Sequence, residues 1–221
     1  MSHPAFRGSE PQANTQVNGY FDALGRSDAE FLDTTNEAVA HGVALFPSGA
    51  NRFRAVRTPQ SLILATEGLA GHGVELYLEI MHGQGWMYEQ IRLNWQSRVL
   101  QEAAGAVNRF GGLPVENFPV VLPVAAVPAA PVQLYFQDGD TSGIALLAGM
   151  AVPGRPASTG DGAVAMVPLT PITPAEYRLV QASGSAEAIA ANRAEMGFHH
   201  VAIDAPEVTG MIDGRLAQRH G

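Results

Sequence analysis

The sequence contains no cysteine and no lysine; all 13 basic residues are arginine. Without thiols there is no disulfide framework, no thiolate nucleophile and no Cys-ligated zinc or iron–sulfur site. Without lysine, Schiff-base chemistry and the phosphate-binding P-loop are excluded. Charge is sparse, at 15% of residues, and 21 acidic residues bring the net charge to −8. That balance repels phosphate backbones, so nucleic acid is not an expected partner. Long apolar runs are missing as well. The first 18 residues hold no stretch of signal-peptide length, and no later stretch suits a membrane span. A soluble, cytoplasmic protein is the expectation.

What is present is a 46% hydrophobic fraction in 221 residues, enough for a sizeable core. One domain is expected, and two small ones are the alternative that the length permits. The polar opening, residues 1–19, reads as a flexible arm. Ser27 and Glu30 have capping-box spacing ahead of an apolar helical period, which predicts a helix over 28–45. RFRAVR at 52–57 alternates as a half-buried strand does, and SLILAT at 61–66 is more continuously apolar. In VELYLEIM, Val74, Leu76, Leu78 and Ile80 share one face of a strand; Glu75, Tyr77 and Glu79 share the other.

From residue 86 to about 110 the apolar period becomes helical, through Trp95, Val99, Ala103, Val107 and Phe110, and Gly111 and Gly112 stop it. Pro114, Pro119, Pro123, Pro128 and Pro131 then punctuate an extended crossing segment and argue against a central strand there. DGDTSG between apolar runs predicts a hairpin. The stretch 167–181, VPLTPITPAEYRLVQ, predicts a strand, a two-proline turn and a helix. Thr173 caps that helix, Pro174 occupies its first turn and Glu176 reaches back to the cap. Further elements are a helix over 186–196 closed by Gly197, a short strand over 199–203 and a surface tail over 205–221. The fold class is therefore α/β (α+β): a mixed sheet flanked by helices, with the domain over 20–204.

Taken in order, LILATEGLA, VELYLEIM, a long helix, a strand hairpin and VPLTPITPAEYRLV followed by a short helix resemble the bacterial suppressor-of-fused-like domain. The resemblance covers residues 61–203 and leaves the N-terminal helix and the last fifteen residues unexplained. It implies a non-catalytic module that binds another protein, in bacteria an immunity protein that neutralises a toxin by direct binding. The acidic balance suits a basic toxin domain as partner.

Candidate partner-binding residues are Trp86 and Tyr88, because Trp and Tyr are enriched at binding hot spots, and Glu75, Tyr77 and Glu79 as the polar face of their strand. No catalytic residue, metal or cofactor is expected. The alternative is a small hydrolase or metal-dependent enzyme using His199 and His200, or a His72, Glu75 and His82 cluster. Neighbouring residues on a strand point to opposite faces, and no H-E-x-x-H or G-x-S-x-G motif supports such a site. Asp138, Asp140 and Ser142 echo half of a calcium loop, but the position needing a bidentate Glu is Gly149.

Overall fold

A computed structural model of the chain describes residues 10–27, 32–33, 52–59, 61–81, 95–160, 162–197 and 206–220. Among these residues the strands are β1 (Arg26–Ser27), β2 (Leu32–Asp33), β3 (Arg52–Arg57), β4 (Ser61–Glu67), β5 (Val74–Met81), β6 (Val120–Ala125), β7 (Tyr135–Asp138), β8 (Thr141–Ala148) and β9 (Ala165–Ile172). The α-helices are α1 (Glu10–Leu24), α2 (Trp95–Phe110), α3 (Pro174–Ser183), α4 (Glu187–Met196) and α5 (Pro206–His220). The strands form a mixed sheet in the order β1-β3-β4-β5-β9-β8-β6, with β2 also on β3 and β7 also on β8. β5 and β9 run parallel, and the other pairs are antiparallel.

Both faces of the sheet are covered, which is why SLILAT is continuously apolar. Leu62 and Leu64 join Val74, Leu76 and Leu78 against the Val99, Ala103 and Val107 stripe of α2. Ile63 and Ala65 point the other way, to Val17, Tyr20 and Phe21 of α1. On that same side, Ala145, Leu147 and Ile172 pack under Tyr177, Ile189 and Leu216 of α3, α4 and α5. The α2 stripe ends early: Trp95 is 7% exposed, whereas Phe110 is 75% exposed. Gly111 and Gly112 turn the chain there with φ of 72° and 137°, values that favour glycine.

Several elements differ from the sequence reading. Residues 10–19 belong to helix α1, because Val17, Tyr20, Phe21 and Leu24 recur at i, i+3, i+4 and i+7 and bury that stripe on the sheet. The tail is helical too, and Ile212 and Leu216, four residues apart, are its buried face. Of the helix predicted over 28–45, Leu32 and Asp33 instead pair with Phe53 and Arg52 of β3; the remainder lies outside the described residues. So do the strand predicted over 199–203 and the first part of the helix predicted from 86. The crossing segment does contain a strand, β6, but it ends the sheet, where Pro123 is tolerated.

β9 carries two prolines inside the sheet, so Pro171 is in the strand rather than in a turn. The strand changes partner midway. Residues 165–168 pair with β5, and residues 169–172 pair with β8. Past Ile172 the predicted capping box forms in full: Thr173 Oγ1 accepts the Glu176 N–H at 3.2 Å, and Glu176 Oε2 accepts the Thr173 N–H at 2.8 Å. The Glu176 carboxylate also receives Arg193 Nε at 2.7 Å and Nη2 at 2.6 Å, and both side chains are completely buried.

Removing one member of a buried pair leaves an uncompensated charge, which costs about 3–5 kcal/mol. Arg193→Leu is therefore expected to lower unfolding stability by about that amount in urea titrations. Adding Glu176→Gln, which discards the charge but keeps an acceptor for the Thr173 N–H, is expected to restore part of the loss. Equal stability of the wild type and Arg193→Leu would show that the pair does not hold these helices.

Candidate functional site

β5 sets out its polar residues at every second position, and each finds a different partner under α1 and the loop 149–159. Glu75 Oε1 accepts three backbone N–H groups, from Gly68 at 2.9 Å, Leu69 at 2.9 Å and Ala70 at 3.0 Å. The Thr66 hydroxyl donates to Oε2 at 2.5 Å and itself accepts the Leu76 N–H at 2.9 Å. Gly68 has φ of 127°, a conformation that glycine supplies as the chain folds back over the carboxylate. Glu75 thus clasps the turn that joins β4 to β5.

Two residues on, Tyr77 donates its hydroxyl proton to Tyr20, whose own hydroxyl donates to the Pro156 carbonyl at 3.0 Å. The Tyr77 ring meets Phe21 edge-on, with centroids 6.4 Å apart. Burial above all raises the Tyr77 hydroxyl far above the ordinary tyrosine value, and it raises Tyr20 as well. Glu79 takes the Ser61 hydroxyl and the Arg155 guanidinium, whose Nη2 lies 3.1 and 3.3 Å from its two oxygens.

These contacts correct one expectation. Glu75, Tyr77 and Glu79 are 0%, 1% and 3% exposed, so the polar face of β5 cannot meet a partner. The alternation in the sequence leaves that face outward if one side of the sheet is bare and buried if both sides are covered, and here both are covered. A helix that ends fifty residues earlier in the chain puts it in the interior. Arg54 on β3 is drawn into the same layer, bonded to Asn18 and to Glu67, with its guanidinium 5.8 Å from the Phe21 ring centre.

Trp86 and Tyr88, the other two candidates, lie outside the described residues, as do His82, His199 and His200. His72 is exposed and shares a 2.9 Å hydrogen bond with Asn108 of α2, while Glu75 faces the interior. Among the described residues no three His, Asp or Glu side chains group as a metal site would require. Asp138 and Asp140 are exposed at the β7–β8 hairpin, where Gly139 has φ of 58°; the turn is the hairpin that DGDTSG predicts. No helix among the described residues is long and apolar enough to cross a membrane.

Sequence reasoning missed the recess beside that hairpin. An open groove of about 470 Å³ is lined by Ala126, Val127, Pro128, Tyr135 and Phe136, and it reaches Gln137 and Ser142 at the acidic turn. Val132, in the short turn that precedes β7, is 76% exposed. The signal was there in the apolar passage between the prolines, but proline spacing alone does not say which side chains turn outward. Comparison of the chain with protein-family models, curated proteins and solved structures finds no match.

The Glu75 carboxyl, buried and without a cation, is raised from 4.5 to about 7, burial outweighing its hydrogen bonds. Below pH 4.5 the folded and unfolded chains both hold this proton. Between 4.5 and about 7 only the folded chain holds it, so each pH unit removes about 1.4 kcal/mol of stability. Above about 7 both states are ionised and the loss stops, at about 3 kcal/mol in all. Glu75→Gln keeps an acceptor for the three N–H groups and is expected to abolish this fall, measured as the change in urea midpoint between pH 5 and pH 8. An identical pH dependence in Glu75→Gln would assign the fall to other groups.

Proposed function

We propose that the protein is a non-catalytic protein-binding module of the suppressor-of-fused-like kind, acting in the cytoplasm as an immunity protein that covers the surface of a basic toxin domain. The observation that carries this reading is the apolar groove beside the β7–β8 hairpin, which reaches Gln137 and Ser142 on either side of the turn that exposes Asp138 and Asp140; Val132, exposed in the turn before β7, is a further apolar side chain on this segment. Apolar lining with an acidic rim is the arrangement that binds a partner by burial at the centre and steers it by charge at the edge. The net charge of −8 acts in the same direction at longer range.

The reading also accounts for how the buried polar groups are spent. Glu75, Glu79, Glu176 and Arg193 are engaged in holding turns and helices together, so the recognition surface is left to apolar and exposed acidic side chains. Burying a Val side chain at an interface contributes about 1.5–3 kcal/mol.

Affinity isolation from cells that also produce the toxin, followed by calorimetry of the purified pair, tests the proposal. A basic protein is expected at one-to-one stoichiometry. Val132→Asp, at a 76% exposed position and therefore expected to keep the circular-dichroism spectrum of the wild type, is expected to weaken it at least tenfold. A partner held with unchanged affinity by Val132→Asp would move the interface elsewhere. Recovery of no stoichiometric partner would end the protein-binding reading.

A further inference from the structure

The sheet has an opening between β8 and β9. β8 ends at Ala148, so along residues 165–168 no strand among the described residues lies on the side of β9 away from β5. The loop 149–159 fills that place in part. Gly149 N donates to the Pro168 carbonyl at 3.0 Å, Met166 N donates to the Ala157 carbonyl at 2.9 Å, and Ser158 forms a single bridge with Ala165. What the loop does not fill is a cavity of about 260 Å³.

Its walls are mainly apolar, with Phe118, Met150, Val152 and Met166 among them. Gly149 is essential to that wall: a Cβ there would come within 2.2 Å of the Phe118 ring, and its φ of 81° favours glycine. Two side chains bring polar atoms to the cavity, Tyr77 and Arg155. The Arg155 side chain is only 20% exposed, and its bonds to protein groups all run from Nη2 to Glu79. Glu79 does not occupy its Nε and Nη1, which are not among the sealed, unpartnered side-chain atoms of the described residues and so stay open to a ligand at the cavity. Tyr77 has given its proton to Tyr20, so its oxygen is left as an acceptor.

Charge selects the ligand further. Glu79 already balances Arg155, so a ligand carboxylate would face an existing carboxylate and a ligand ammonium would face the guanidinium. An uncharged head meets neither. We propose that this cavity binds a small molecule with a short apolar body and a carboxamide head, its carbonyl accepting from Arg155 and its N–H donating to Tyr77. The volume, a little below that of pockets for drug-sized ligands, suits a short chain. The assignment is independent of the groove beside the β7–β8 hairpin.

Hexanamide, hexanoate and hexylammonium, titrated into protein carrying ¹³C-methyl methionine, test it. Hexanamide is expected to shift the Met150 and Met166 methyl signals saturably, and the two charged probes to bind at least tenfold more weakly. Ala151→Trp, on the exposed rim of the cavity, is expected to weaken hexanamide at least tenfold. Arg155→Lys keeps a cation for Glu79 but removes the spare guanidinium donors, and a fivefold or greater loss is expected, so the point is decided even if the tryptophan variant does not fold. Absence of a saturable shift, equal binding of the three probes, or unchanged hexanamide affinity in the folded variants would each overturn the proposal.

Discussion

One buried ion pair fixes how half of this molecule is assembled. Arg193 of α4 reaches Glu176 of α3 through two nitrogens and the Pro171 carbonyl of β9 through one of them, at 3.1 Å. Glu176 holds the Thr173 N–H, and the Thr173 hydroxyl donates to Asp213 of α5 at 2.5 Å. One strand and three helices therefore meet at a single polar point. Burying two charges is costly, and a well-packed apolar substitute often matches such a pair in stability. What the pair adds is geometry. A bidentate guanidinium–carboxylate bond tolerates few orientations, whereas the alanine-rich α4 would slide on an apolar surface with little penalty.

The other half of the sheet uses the same device with different counter-groups. Glu176 and Glu79 each face an arginine, but Glu75 faces only backbone N–H groups and a hydroxyl. Hydrogen bonds alone offset less of the cost of burying a charge than a cation does. That difference is why the Glu75 carboxyl is raised to about 7. Three buried glutamates in one chain thus hold three different things: a turn by backbone N–H groups, a loop through Arg155, and a helix pair through Arg193.

What could be read from the sequence was whatever is decided by near neighbours. Thr173, Pro174 and Glu176 announce a helix start because a capping box closes within four residues. Gly111, Gly112 and DGDTSG mark a stop and a hairpin for the same reason. The mixed sheet flanked by helices follows from the alternation in β3 and β5, the continuous apolar run of β4 and the helical period of α2. Helix α1 was legible in principle from Val17, Tyr20, Phe21 and Leu24, yet its other positions are polar and read as an arm. The burial of Glu75, Tyr77 and Glu79 was not legible, since it depends on α1 and on Arg155, partners dozens of residues away. Nor could periodicity reveal the switch of β9 between two partners, because the strand is buried along nearly its whole length and both halves read alike.

The free edge of the sheet limits how anything can dock there. β6 pairs with β8 through Leu122↔Leu146 and Val124↔Ile144, and Pro123 lies between them opposite Ala145. In an antiparallel ladder, alternate residues turn their N–H groups toward the neighbouring strand and away from it. Proline has no N–H to give, so it is accommodated where that group would have faced outward. The outward row is therefore missing a donor at the middle of the strand, and an added strand would leave one of its own carbonyls without a partner there. Edge proline is a recognised guard against strand-to-strand addition. A strand could therefore add to this edge only with a broken ladder, which leaves side chains rather than backbone as the accessible groups at this end of the sheet, among them the Tyr135 and Phe136 side chains that line the groove next to the β7–β8 hairpin.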